Sequence, residues 1–203
     1  MRKMIIAITD RRISAAHDFL DQVEAVAAAR PDMIILREKD VSEAEYRYLA
    51  VECARICGQH RVDFCVNTFI KAAAAIGDGR VQVSFGTLGA EKDRLRGFEE
   101  VWVSVHSPSE AVAAEDMGAT HLIYGNVFET SCKPGAVGKG VAELGVVCAA
   151  AGVPVFAVGG MDVNTISKVV EAGCAGVCIR GLLMASRDPS EVMGRLRAAA
   201  GGQ

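Results

Sequence analysis

The chain has 203 residues, of which 51% are hydrophobic and 23% are charged, and its formal net charge is −3 at pH 7. A chain of this length and composition can bury a core without help from disulfides or structural metals. Because it has no lysine and arginine run and no apolar stretch near the ~20 residues of a membrane span, we expect neither a nucleic-acid partner nor a membrane partner.

Short β-branched runs alternate with alanine-rich stretches along the whole chain. The β-branched runs predict eight strands, because they are short and nearly continuous in apolar residues. The strands are predicted at 4–9, 32–38, 62–67, 80–84, 101–106, 120–125, 153–160 and 175–181.

Helical sequence follows each predicted strand, and several helix ends carry capping residues. Ser14 is expected to open a helix over 14–30, and Ser42 with Glu45 has the spacing of a capping box at the start of 42–59. Pro108 and Gly118 mark the two ends of a later helix. Asp162 is an N-cap candidate.

Eight strands that read as buried on both faces, each followed by a helix, indicate a parallel sheet covered by helices. Eight such units in about 200 residues fit a single-domain (β/α)8 TIM barrel over residues 1–203, at the small end of its size range. An open, doubly wound sheet is the alternative. No linker or change of composition divides the chain.

Polar side chains follow the predicted strands where each strand ends. They include Arg37, Glu38 and Lys39 after the second strand, Asn67 and Thr68 after the third, Ser104 and His106 at the fifth, and the loop "GNVFETSCKPG" after the sixth. Because TIM-barrel sites lie at the carboxyl ends of the strands, we expect these side chains to share one site.

Glycines at the ends of the last two strands predict a phosphate site. Gly159 and Gly160 end the seventh strand, and Arg180 and Gly181 end the eighth. Glycine lets backbone N–H groups approach an anion, and a short helix beginning near Gly181 would direct its amino end there. A tight turn explains either glycine pair alone about as well.

Seven cysteines form an odd number without the spacing of a zinc site or a disulfide framework. They are typical of reduced thiols in a cytoplasmic protein, with Cys65, Cys148, Cys174 and Cys178 expected as small buried hydrophobic residues. The sequence leaves homo-oligomer formation open.

Five segments in order resemble the thiamine phosphate synthase/TenI superfamily: "ILREK", "VSVHS", "YGNVFETSCKPG", "PVFAVGGM" and "AGCAGVCIRG". The superfamily contains synthases, which join a pyrimidine diphosphate to a thiazole phosphate using magnesium. It also contains TenI-type tautomerases, which isomerise a carboxythiazole phosphate without a metal. The resemblance implies a TIM barrel of thiamine biosynthesis that binds a small thiazole phosphate.

The polar strand ends and the resemblance together predict three groups of site residues. Substrate binding is expected at Arg37, Lys39, Asn67, Ser104, Asn126 and Thr130, and phosphate binding at Gly159, Gly160, Arg180 and Gly181. Catalysis is expected from His106, Cys132 and Lys133.

Two departures from the family patterns bear on the reaction. The synthase pattern places magnesium-binding aspartates after the third and fourth strands, where this chain has Thr68 and "SFGT" and therefore no carboxylate. The synthase glutamine before the arginine is Ile35 here. The TenI-type catalytic histidine is replaced by Asn126, and an amide cannot carry a proton near neutral pH as histidine does.

The leading hypothesis is a TenI-like isomerase, with no metal and no cofactor, whose proton transfer falls to His106, Cys132, Glu38 or bound water. The alternatives are a thiamine phosphate synthase with an altered metal site and a non-catalytic binder of thiazole or thiamine phosphates.

Overall fold

The protein is a closed barrel of eight parallel strands surrounded by helices, so the TIM-barrel prediction is confirmed and the open sheet is wrong. The computed structural model describes residues 2–14, 18–130, 135 and 137–201. In sequence order the strands are β1 (Met4–Ile8), β2 (Met33–Leu36), β3 (Asp63–Asn67), β4 (Arg80–Ser84), β5 (Glu100–Val105), β6 (His121–Gly125), β7 (Val155–Val158) and β8 (Gly176–Ile179). Each strand pairs with its sequence neighbours, and β8 closes on β1.

Ten described helices pack around the barrel. They are α1 (Phe19–Ala28), α2 (Glu43–His60), α3 (Ile70–Ile76), α4 (Phe85–Ala90), α5 (Lys92–Leu95), α6 (Pro108–Asp116), α7 (Gly140–Ala150), α8 (Ile166–Glu171), α9 (Gly181–Met184) and α10 (Pro189–Ala199). None of these described helices is both long and apolar enough to cross a bilayer.

Capping explains which helix boundaries the sequence could predict. Ser42 Oγ accepts a hydrogen bond from Glu45 N at 3.2 Å, so α2 begins as expected. Pro108 opens α6, and Gly118 just beyond its end has φ +104°, which favours glycine.

Two other helix starts were predicted wrongly. The first helix begins at Phe19 with Asp18 as its N-cap, and Ser14 instead follows a short 3-10 helix at Arg11–Ile13. Asp162 Oδ1 accepts from the N–H of Asn164 at 2.8 Å and of Thr165 at 2.9 Å, which forms a turn, and α8 begins only at Ile166. Ser14 thus ends a 3-10 helix instead of opening α1, whereas Asp162 caps the turn that leads into α8, since its backbone oxygen also accepts from Ile166 N at 3.1 Å.

Alternating residues of each strand face either the barrel interior or the helices. The interior cluster contains Ile6, Ile8, Met33, Ile35, Cys65, Trp102, Ile123, Phe156 and Cys178, whereas the larger core lies between strands and helices. Cys65, Cys174 and Cys178 are buried as expected, and Cys148 is partly buried.

The amino end of the barrel is filled by aromatic rings and an ion-pair network. Trp102 stacks on His121 with ring centroids 4.1 Å apart, and Phe156 packs 4.7 Å from Trp102. Arg80 lies there within 3.3 Å of carboxylates on Asp63, Asp78 and Glu100. Open space inside the barrel is therefore found at the carboxyl ends of the strands.

Candidate active site

A cavity of about 470 Å³ opens at the carboxyl ends of the strands, and all eight strands or the loops after them contribute to its walls. Eleven of the thirteen predicted site residues line it: Arg37, Lys39, Asn67, Ser104, His106, Asn126, Thr130, Gly159, Gly160, Arg180 and Gly181. The other two, Cys132 and Lys133, lie outside the described residues. The barrel thus gathers the strand-end residues at one place, while their individual roles stay predictions.

Glycines at the ends of β7 and β8 form one side of the cavity. Gly160 has φ +66°, and a Cβ atom there would lie 2.6 Å from both Glu129 O and Phe128 Cβ. Gly159 has φ +98° and similarly little room beside Asn126. The close approach of the loop after β6 therefore requires these glycines, independently of any ligand.

Gly181 differs from that pair because its surroundings leave room for a side chain. It is the first residue of α9, and a Cβ built on it would meet no atom within 4 Å. The predicted short helix near Gly181 is confirmed. Because the first N–H groups of a helix have no intrahelical acceptor, those of α9 are available to a ligand in the cavity.

Positive charge faces the cavity from β2 and β8. Arg180 forms an ion pair with Asp10 at 3.4 Å, and its side chain is 15% exposed. Burial, and then the nearby Arg37 guanidinium, lower the pKa of Arg180 below its usual value. Two arginines close enough to repel each other, together with Lys39, favour an anionic ligand.

Glu38 is buried and supports the site from behind instead of facing the cavity. Its carboxylate accepts hydrogen bonds from Thr9 Oγ1 at 2.7 Å and from Arg11 N at 3.2 Å. Thr9 Oγ1 in turn accepts from Arg37 N at 2.9 Å, which fixes the backbone that carries Arg37. Burial raises the pKa of Glu38. Because Glu38 is not among the residues that line the cavity, the structure does not place it where a proton carrier would act.

A row of polar side chains crosses the cavity wall from β3 to β5. Asn67, Gln82 and Ser104 belong to neighbouring strands, and Gln82 Nε2 donates to Ser104 Oγ at 2.9 Å. Asn67 and Gln82 are each only 5% exposed. Gln82 lies inside β4, before the strand end, so the strand-end pattern does not identify it, although an amide flanked by valines is an unusual interior residue for a barrel strand.

Lys139 links the loops that carry His106 and Asn126. Lys139 Nζ donates to the backbone oxygen of His106, and Lys139 N donates to that of Asn126 at 3.0 Å. The His106 side chain is 45% exposed, with Nδ1 3.5 Å from Glu110 Oε2. Asn126 is buried, and its amide donates to Phe128 O at 3.2 Å. Of these two side chains, only His106 can exchange a proton near neutral pH.

The described cavity wall does not fit a protein-bound divalent cation. Magnesium prefers carboxylate ligands, but the described lining residues include neither aspartate nor glutamate. After β3 and β4, where the synthase pattern has aspartates, Thr68 and Ser84 line the cavity with hydroxyl groups. Ser84 Oγ also accepts a hydrogen bond from Thr87 N and so caps α4. In the part of the chain that the structure describes, there is no cluster of three or more histidine, cysteine, aspartate or glutamate side chains suited to a metal.

Comparison with known proteins gives consistent matches over nearly the whole chain. Residues 5–183 match the TMP-TENI family, described as thiamine monophosphate synthase. The thiamine-phosphate synthase of Clostridium acetobutylicum is 30% identical over 191 residues, covering 92% of this chain and 90% of the relative. The protein of the same name from Coprothermobacter proteolyticus is 28% identical over 187 residues, covering 91% and 88%.

Solved structures support the same fold. The thiamine phosphate pyrophosphorylase of Pyrococcus furiosus superposes with a TM-score of 0.85 at 23% identity, covering 98% of this chain and 96% of that one. A 3-hexulose-6-phosphate synthase superposes with a TM-score of 0.68 at 20% identity, covering 97% and 99%.

Proposed function

Because the chain belongs to the TMP-TENI family, described as thiamine monophosphate synthase, we propose that it is an enzyme whose cavity binds a phosphorylated thiazole. One observation carries this proposal: a single cavity joins the glycine-lined ends of β7 and β8 to the cations Arg37, Lys39 and Arg180. A phosphate ester on the backbone of Gly160 and Gly181 would leave the ring facing the middle of the barrel.

The middle of the cavity has two kinds of surface that suit a heteroaromatic ring. Ile8, Ile123 and Val158 offer apolar contact on the side formed by β6, β7 and β1. The side chains of Asn67, Gln82 and Ser104 offer hydrogen bonds on the side formed by β3 to β5. A ring with one polar edge could therefore contact both walls while its phosphate stays at β7 and β8.

The relatives' names favour the coupling reaction, which the sequence supported only as an alternative. Thiamine-phosphate synthase is the name of both relatives described above. In this reaction the thiazole nitrogen displaces diphosphate from the pyrimidine-bearing carbon. Arg37 and Lys39 at the cavity would stabilise the negative charge of the departing diphosphate. We propose this transferase activity as the first candidate.

The cavity's donor set favours the isomerase as a second candidate. Its described walls carry cations, amides and hydroxyls but no carboxylate, which suits binding of an anionic thiazole without a protein-held metal. Isomerisation needs a proton carrier, and among the described lining residues His106 is the side chain with suitable chemistry. Neither relative described above is named for this reaction.

Three assays on the purified protein separate the candidates. Binding of thiazole phosphate is measured by calorimetry, coupling by chromatographic detection of thiamine phosphate, and isomerisation by NMR of the carboxythiazole phosphate. Coupling is run with added magnesium and with a chelator. Thiamine phosphate formation supports the transferase, aromatisation alone supports the isomerase, and binding without turnover supports the non-catalytic alternative.

A matched pair of variants ties the result to this cavity. Arg37→Met should weaken binding of the anionic ligand or slow its turnover at least tenfold, because a charged hydrogen-bond partner is lost. Arg195→Met removes an exposed arginine on α10, away from the cavity, and should behave as wild type. If wild type binds no thiazole phosphate, or if Arg37→Met matches Arg195→Met in both binding and turnover, the proposed site is wrong.

A further inference from the structure

The side chains of Asn67, Gln82 and Ser104 form a hydrogen-bonded row whose direction can be worked out. Asn67 lies opposite Gln82 in the pairing of β3 with β4, and Ser104 lies on the next strand. An amide has a donor end and an acceptor end, so each contact in the row constrains the next one. The orientation of Gln82 therefore decides what Ser104 can offer a ligand.

A backbone carbonyl fixes the amide of Gln82. Gln82 Nε2 lies 2.8 Å from Val83 O, and a carbonyl oxygen can only accept a hydrogen bond. The nitrogen must therefore face this side, where it also donates to Ser104 Oγ at 2.9 Å. Rotating the amide by half a turn would bring two acceptors together in a buried position, which is costly.

The opposite end of the row is consistent with this orientation. Gln82 Oε1 accepts from Asn67 Nδ2, which also lies 3.4 Å from the backbone oxygen of Gln82. Asn67 Oδ1 then faces Thr68, whose Oγ1 donates to it at 3.0 Å. Hydrogen bonds thus run in one direction, from Thr68 through Asn67 and Gln82 to Ser104.

Ser104 is the end of the row and lines the cavity. Its oxygen already accepts from Gln82, so its own proton is directed elsewhere. Within residues 2–14, 18–130, 135 and 137–201, no protein acceptor is found for that proton. A hydroxyl that accepts on one side and faces a cavity on the other is prepared to donate to a bound molecule.

We propose that Gln82 is a positioning residue that holds Ser104 as a hydrogen-bond donor, so that this wall selects a ligand carrying an acceptor atom there. The acceptor is either a ring nitrogen or an anionic oxygen such as a carboxylate. The identity of the ligand rests on the proposed function, whereas the direction of the row rests only on the contacts between the protein's own side chains.

Gln82→Glu tests the proposal because it keeps the side-chain shape but replaces the donor nitrogen with oxygen. Ser104 would then donate to the new carboxylate and turn its proton away from the cavity. Affinity for carboxythiazole phosphate, and for thiazole phosphate as well if the acceptor is the ring nitrogen, should fall about tenfold or more in Gln82→Glu and in Ser104→Ala. In the Ser104→Ala background, Gln82→Glu should retain only the loss that its added negative charge causes near an anionic ligand, so the combined loss should be smaller than the sum of the two single losses. A residue that merely packs would instead give additive losses.

Two ligands distinguish the two acceptors. Equal losses for thiazole phosphate and carboxythiazole phosphate in Ser104→Ala indicate the ring nitrogen, and a loss confined to the second indicates its carboxylate. Unchanged binding of both ligands in Ser104→Ala, or additive losses in the double variant, overturns the proposal. If Gln82→Glu fails to fold, Gln82→Met takes its place in the same cycle.

An NMR experiment tests the row without any ligand. The side-chain amide protons of Gln82, identified by their absence in Gln82→Met, should exchange slowly with water and should shift in Ser104→Ala. Fast exchange and an unchanged shift would refute the row even if thiazole phosphate binds. If the amide behaves as expected but wild type binds neither ligand, the thiazole assignment fails and the donor role of Ser104 in substrate selection fails with it.

Discussion

Gly181→Ala should weaken binding of a phosphorylated ligand while leaving the fold intact. The new methyl group meets no protein atom within 4 Å, and Gly181 begins a helix, where alanine is well tolerated. Within the cavity, the methyl group would keep a phosphate from the backbone N–H groups at the start of α9. Losing one hydrogen bond to a charged group costs about 1.5–3 kcal/mol, which corresponds to an increase in Kd of about 10- to 150-fold.

Gly160→Ala provides a contrast, because that position has no spare room. A residue with a side chain at φ +66° costs about 1–2 kcal/mol, and its Cβ would overlap the loop at Phe128 and Glu129. We therefore expect Gly160→Ala to lower Tm as well as affinity. Gly194→Ala, at an open and exposed position of α10, controls for the general effect of replacing glycine.

Calorimetric titration with thiazole phosphate, together with thermal unfolding, measures both effects. The expected pattern is weak binding with normal Tm for Gly181→Ala, and unchanged affinity with an equal or higher Tm for Gly194→Ala, because alanine is the better helix former. Normal affinity in Gly181→Ala, with the fold intact, would show that the phosphate binds elsewhere. It would refute the proposal that the ends of β7 and β8 bind the phosphate.

Three further predictions concern proton transfer and pH. Asn126→His should raise the rate of carboxythiazole phosphate isomerisation by about 10²–10⁴-fold, and an unchanged rate in a variant that still binds the ligand would contradict this. Because burial raises the folded-state pKa of Glu38, its contribution to stability grows as pH falls, so the Tm of wild type minus that of Glu38→Gln should increase from pH 7 to pH 5. Burial alone would raise the pKa of Asp32, but hydrogen bonds from Arg197 and Ile5 outweigh burial and lower it. The ionised Asp32 therefore contributes to the stability of the fold near neutral pH. The stability lost in Asp32→Asn should therefore shrink as pH falls below about 4, and a loss independent of pH would refute this.

The barrel could be predicted from the sequence because its determinants are local and repeated. Each strand is a short apolar run, and each polar strand end follows that run directly, so residues such as Arg37 and Gly181 could be placed without coordinates. Helix starts were less predictable, since Ser14 and Asp162 can belong to a turn as readily as they can cap a helix.

The parts that could not be predicted depend on contacts between strands. Nothing local to Glu38 shows that its carboxylate turns towards Thr9 and Arg11, because both partners lie 27 or more positions earlier in the chain. The hydrogen-bonding role of Gln82 likewise depends on β3 and β5, which bring Asn67 and Ser104 to the two ends of its amide. Sequence patterns predicted the lining of the cavity, whereas the barrel's register determines which of its groups donate and which accept.

The aromatic stack of Trp102, His121 and Phe156 has a kinetic consequence. Because these rings fill the amino end of the barrel, molecules that use the cavity must arrive and depart through the same mouth. A compound bound deep in the cavity is then trapped beneath any second compound that binds nearer the mouth. If two substrates react here, they should follow a compulsory order of addition, and the deeper fragment should leave last, a sequence that product-inhibition patterns would reveal.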